Sequence, residues 1–191
     1  MHARLVHMGL SQAEVEALFN LLNEQFDVVE EVIRDYGQQQ QQVREYWGMD
    51  DDDTFSMQED DGQMLISAIG IDLPVRYDKN FVKSIGFERW EVLKEIIKNI
   101  KWRRGKGTLA FRLGFLGSPT IVFSIVHGNS KVFNKAIEGI EYILDTVLFR
   151  SIPDAEEIRF VFSHDDMRWY PRSAYLHGRE YRYREGVWST A

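Results

Sequence analysis

Residues 108–126, TLAFRLGFLGSPTIVFSIV, decide the fold class. In 108–115 the large apolar side chains of Leu109, Phe111, Leu113 and Phe115 alternate with Ala110, Arg112 and Gly114, the period of two that sorts side chains onto the two faces of a strand. Residues 120–126 form a β-branched run suited to a pleated, packed surface. Gly117-Ser118-Pro119 makes the turn between them, so the spacing predicts an antiparallel pair.

A helical pattern flanks the pair on each side. Upstream, residues 87–101 place Trp90, Leu93, Ile97 and Ile100 on one helical face, with Ile96 beside them, and Gly105 and Gly107 supply the stop. Downstream, residues 130–149 carry Phe133, Ala136, Ile137, Ile140, Leu144 and Leu148 at helical spacing, and Pro153 ends the run. A mostly apolar segment at 63–71 reads as a central strand ending near Pro74, and residues 157–163 alternate again through Ile158, Phe160 and Phe162. The resulting order is β-α-β-β-α-β, the α+β arrangement of a ferredoxin-like sandwich over residues 63–191, with 175–188 as a C-terminal β-hairpin extension.

In front of this domain, Ser11-Gln12-Ala13-Glu14 has the capping-box pattern of a helix start. Val15, Phe19, Leu22, Phe26, Val29, Ile33 and Tyr36 follow in steps of four and three, and the register resumes at Val43 and Trp47. This predicts an N-terminal amphipathic helical extension over 1–48. Leu18, Val32 and Tyr46 widen its stripe beyond a coiled-coil seam and favour packing on the chain's own domain. Gly37 and the five glutamines at 38–42 mark a kink or break. Residues 49–62, with Asp50–Asp53 and Glu59-Asp60-Asp61, read as an extended acidic linker.

The net charge of −7 conceals two opposite parts: residues 1–61 hold 15 Asp/Glu against 3 Lys/Arg, and residues 62–191 hold 15 against 20. No apolar stretch is long enough to span a bilayer, and cysteine is absent, so the expectation is a cytoplasmic chain without membrane contact. The glycine and catalytic patterns of nucleotide-binding loops, serine hydrolases and zinc proteases are missing, and no cofactor is called for.

A ferredoxin-like course gathers the 102–107 loop, the 127–130 turn and residues 163–166 at one end of the sheet. Arg103, Arg104 and Lys106 would there meet a helix N-terminus capped by Asn129 or Ser130, with Lys131 adding charge. Free N–H groups and converging cations make these six residues the expected anion or phosphate site. The competing reading is cations that complement their own helix C-terminus and an ordinary cap. The acidic linker enters at the same end and could lie over the basic loop as an internal counter-ion.

His127, His164 and Asp165 are the weak candidates for a metal or for acid–base chemistry, without diagnostic spacing. Asp72 belongs to the opposite end of the sheet. Arginines and aromatics interleave from Arg168 to Trp188; on a strand, Tyr181 and Tyr183 share one face and Arg182 and Arg184 the other. These four residues suit an interaction edge, or alternatively single-stranded nucleic acid. The leading expectation is a non-enzymatic interaction protein, homo-oligomeric or partner-binding. A single-stranded nucleic-acid binder is the alternative, and a metal-dependent hydrolase the third reading.

Overall fold

The computed structural model describes residues 2–34, 46–47, 67–146, 152 and 154–191. Nine strands among them form one sheet: β1 (His2–Met8), β2 (Asp27–Val32), β3 (Ser67–Leu73), β4 (Leu109–Phe115), β5 (Thr120–His127), β6 (Glu157–Ser163), β7 (Arg168–Leu176), β8 (Arg179–Arg184) and β9 (Val187–Thr190). The helices whose bounds fall among the described residues are α1 (Gln12–Asn23), α2 (Phe81–Ile85), α3 (Phe87–Arg103) and α4 (Ser130–Gly139), the last continued by a 3-10 turn at Ile140–Tyr142; residues 46–47 and 144–146 are helical as well. The pair read from 108–126 is β4 and β5, antiparallel, with Leu109 opposite His127 and Phe115 opposite Ile121.

The class is α+β, and the order β-α-β-β-α-β is present from β3 to β6, but the sheet is larger and differently ordered than a ferredoxin-like sandwich. Its order is β2-β1-β3-β4-β5-β6-β7-β8-β9. In a split βαβ arrangement another strand separates the two strands of each unit. Here β1 and β2, β3 and β4, and β5 and β6 each pair directly and in parallel. Antiparallel joins then link unit to unit, β1 to β3 and β4 to β5. The free edge of β3 is taken by β1, a strand outside the expected set, so no edge is left for the interleaved order.

The N-terminal helix also differs from expectation. Its capping box is formed: the Ser11 N–H donates to Glu14 Oε2 at 2.9 Å and the Glu14 N–H to Ser11 Oγ at 3.4 Å. Yet α1 stops at Asn23, and Asp27–Val32 is a strand. Val29 and Val32 fit a helical stripe by position but are β-branched, and pairing with β1 overrides the periodicity. The proposed break at Gly37 and the acidic linker lie outside the described residues. At the other terminus the expected hairpin is a three-stranded meander, β7 to β9. Its connections are the two-residue turns His177-Gly178 and Glu185-Gly186, all four residues at positive φ, as tight hairpins between twisted strands require.

Helices α1, α3 and α4 pack on one face of the sheet. Val15, Leu18 and Leu22 of α1, Trp90, Leu93, Ile97 and Ile100 of α3, and Phe133, Ala136 and Ile137 of α4 join Leu5, Ile69, Ile71, Phe111, Leu113, Phe115, Phe123 and Phe160 in one buried core. Each fully buried side chain of this size contributes roughly 1.5–3 kcal/mol. Between α3 and α4, Lys94 meets Glu91, Glu138 and Glu141. Burial works against its charge, but the three carboxylates outweigh it and raise its pKa. The opposite face carries a smaller cluster of Val6, Met8, Ala68 and Ala110 with Trp47, which is helical like its neighbour Tyr46.

Candidate binding surfaces

The sheet end where β4 begins and β5 and β6 finish brings the expected loops together. A Cβ on Gly128 would sit 3.1 Å from the Lys106 carbonyl oxygen, and the His127 and His164 rings lie 5.9 Å apart. The six residues assigned to an anion there have unequal duties. Arg104 grips Glu14 with both terminal nitrogens, at 2.8 and 2.9 Å, and also donates to the carbonyls of Ile100 and Gly9. Glu14 is buried, and its hydrogen bonds from Arg104, with those from Ser11, hold its pKa down at about 2 against burial. This pair staples the N-terminus of α1 to the C-terminus of α3. Asn129 Oδ1 accepts from the N–H groups of Lys131 at 2.8 Å and Val132 at 3.4 Å, so it serves as the cap of α4. Arg103, Lys106 and Lys131 are exposed and Ser130 is half-buried. Arg103 stands 3.9 Å from Glu14.

Beneath this loop Lys101 is fully buried, donating to the Gly105 carbonyl at 2.8 Å. Burial and the adjacent Arg104 lower its pKa. His127 Nδ1 accepts the Asn129 N–H at 2.8 Å. That bond assigns the proton of a neutral ring to Nε2, which makes His127 a donor rather than a metal ligand through that atom. Burial, His164 and Lys101 push its pKa down. His164 Nε2 lies 3.0 Å from Asp165 at the exposed turn. Among the described residues no group of three or more His, Asp or Glu is arranged to hold a metal ion.

The C-terminal meander separates what the sequence interleaves. Tyr181 pairs with Ala174 and Thr190, and Tyr183 with Trp188, on the side facing the core; the Tyr183 and Trp188 rings are 5.1 Å apart. Arg182 pairs with Ser173 and Ser189, and Arg184 with Val187, on the helix-free side. Arg159 of β6 shares that side. Its guanidinium lies 5.0 Å from the Tyr175 ring centroid and its Nε 2.6 Å from Glu157. Arg172 sits beside Arg182: burial and the Arg182 charge lower its pKa, with Glu180 working the other way.

One polar cluster has no counterpart in the sequence reading. On the face opposite the main core Arg112 donates to Asp72, and its Nη1 lies 3.2 Å from the Tyr46 hydroxyl, with the guanidinium 4.3 Å from the Tyr46 ring centroid. Tyr46 donates toward Asp72 Oδ2 at 3.4 Å, and Arg4 approaches the same carboxylate at 3.8 Å while gripping Glu31 at 2.6 Å. Burial pushes the Tyr46 hydroxyl up to about 12. Two glycines make the room. A Cβ at Gly70 would lie 2.5 Å from Tyr46 Cε1, and one at Gly114 would lie 2.2 Å from Asp72 Oδ1. The available signal was Arg112, Gly70 and Gly114 in otherwise apolar strands, all on the face away from the large side chains. No protein-family model matches the chain, nor does a curated protein or a solved structure.

Proposed function

We propose that the chain is a non-enzymatic cytoplasmic protein that works by association, and that the helix-free side of the β6–β8 region receives an acidic protein surface. The observation that carries this is the row of arginines on that side of the sheet: Arg182 opposite Ser173 and Ser189, Arg184 opposite Val187, and Arg159 two strands away opposite Ser173. Arginine on a flat β surface, with tyrosine beside it, also matches the composition of protein interfaces. Single-stranded nucleic acid fits less well. Tyr181 and Tyr183 lie on the face opposite Arg182 and Arg184, and Tyr175 already stacks under Arg159, whereas a strand of nucleic acid needs charge and open rings on one side. The anion site at Arg103, Lys106, Ser130 and Lys131 is a secondary part of the proposal, with Arg104 and Asn129 engaged in holding the fold.

Fluorescence anisotropy with a labelled polyglutamate peptide and with a labelled single-stranded oligonucleotide tests the reading. The expected result is peptide binding that falls at least tenfold in R182S/R184S while the circular dichroism is unchanged. Equal peptide binding by the variant overturns the assignment. Oligonucleotide binding that drops steeply with salt and crosslinks at Tyr181 or Tyr183 would establish the nucleic-acid alternative instead.

A further inference from the structure

Both edge strands of the sheet are open among the described residues: β2 pairs only with β1, and β9 only with β8. Natural edges are guarded by charged side chains, lysine above all, by proline, by a bulge or by being very short, because a row of unpaired N–H and C=O groups invites another strand. Neither DVVEEV nor VWST contains lysine or proline. Each instead shows a β-branched residue to solvent, Val29 at 53% exposure and Val187 at 66%.

The two edges are also of opposite charge. β2 carries Asp27, Glu30 and Glu31 and no cation. Arg4 and His7 hold Glu31 and Glu30 from the neighbouring strand, and the Asp27 side chain, 3.9 Å from His2, is 78% exposed. At the other edge, Arg184 and Arg182 stand in register beside Val187 and Ser189. Val29 shares its side of the sheet with Asp27 and Glu31, two residues away in each direction. β2 runs opposite to β9 within the sheet, so with the faces matched the added strand is antiparallel, and if Val29 meets Val187, Asp27 falls opposite Ser189. Arg182 stands one strand further in, beyond Ser189 and about 10 Å from that position, a span its long side chain can cross.

We infer that β2 of one copy adds to β9 of the next, extending the sheet head to tail. This rests on the association reading and names its partner, the acidic edge of a second copy. The contact is heterologous, so it generates a ring or an open chain rather than a closed dimer. Sedimentation of the whole chain over a range of concentrations tests it, using V29K and V187K, each of which places a charge on one edge. Wild type should show a mass that rises with concentration past that of a dimer and falls back in high salt. Each variant alone should stay monomeric. An equimolar mixture of the two should stop at the dimer, since each variant retains one intact edge.

A wild type that remains monomeric at its solubility limit overturns the inference. So does a result in which only one of the two variants loses self-association, which marks an edge pairing with itself, or a mixture that grows past the dimer. Should V29K lower the melting temperature, V32K, at the other exposed valine of β2, replaces it in the same scheme. Polyglutamate binding run in parallel separates the two ideas: binding without self-association removes this inference alone, and loss of both removes the association reading with it.

Discussion

Two buried guanidinium–carboxylate pairs brace this sheet, and they differ in what surrounds them. Arg104 and Glu14 join two helix ends at the rim of the helix-covered layer, where Arg104 keeps a side toward solvent and two backbone carbonyls complete its contacts. Arg112 and Asp72 lie mid-strand on the opposite face, both buried, with Tyr46 across them and glycine at Gly70 and Gly114 in place of side chains. The first pair complements charges that helix termini already present. The second must offset its own desolvation through geometry alone, so removing one partner leaves an uncompensated buried charge.

The sharpest way to break the comparison is Asp72→Ala, expected to cost about 3–5 kcal/mol in urea unfolding because Arg112 is stranded. Replacing both residues, Arg112→Met with Asp72→Leu, should recover most of that loss; a double variant as unstable as the single one would show that the pair is needed for more than mutual neutralisation. Glu14→Gln should cost about 2–3 kcal/mol near neutral pH.

The acid behaviour of Glu14 supplies a signature. Its folded pKa is lowered from 4.5 to about 2, so its stabilisation is fully present above the unfolded value and is lost as pH falls through the folded one. The gap in melting temperature between wild type and E14Q should therefore stay constant above about pH 5 and close as pH approaches about 2. A gap that persists at that pH would assign the effect to packing.

Tyr46→Phe removes one hydroxyl from the Asp72–Arg112 cluster and should cost about 1 kcal/mol in the same assay. Arg103→Ala with Lys106→Ala, two exposed cations, should change stability by less than about 0.5 kcal/mol. Retention on heparin should nevertheless fall if these residues serve an anion. Unchanged retention would confine the basic loop to complementing α3.

The strongest periodic signals in the sequence correspond to real elements. The alternation at 109–115, the apolar stripe of α3 and the capping box at Ser11 are each visible within a dozen residues, because the forces that shape them are local. What escaped was settled by pairing. HARLVHM became β1 because β3 offers it an edge, and Asp27–Val32 became β2 because β1 does. Neither is decisive alone, and the valines of β2 satisfied a helical spacing by coincidence. The Asp72–Arg112–Tyr46 cluster draws on three places in the chain and depends on Asp72 standing opposite Gly114 rather than one residue away. A register is a property of two strands, and no single segment announces it.

The strand order has a kinetic consequence. From β3 to β9 every strand lies beside its predecessor in the chain, so the sheet can lengthen one short closure at a time, with little entropy spent on each. The long closure is β1 onto β3, across the residues between 8 and 67. Every residue of β3 and β4 is buried, and β5 is buried through its centre, which makes these three strands the place where amide hydrogens should exchange slowest. Folding would then nucleate near the middle of the sheet and zip outward, with β2 and β9 arriving last and leaving first.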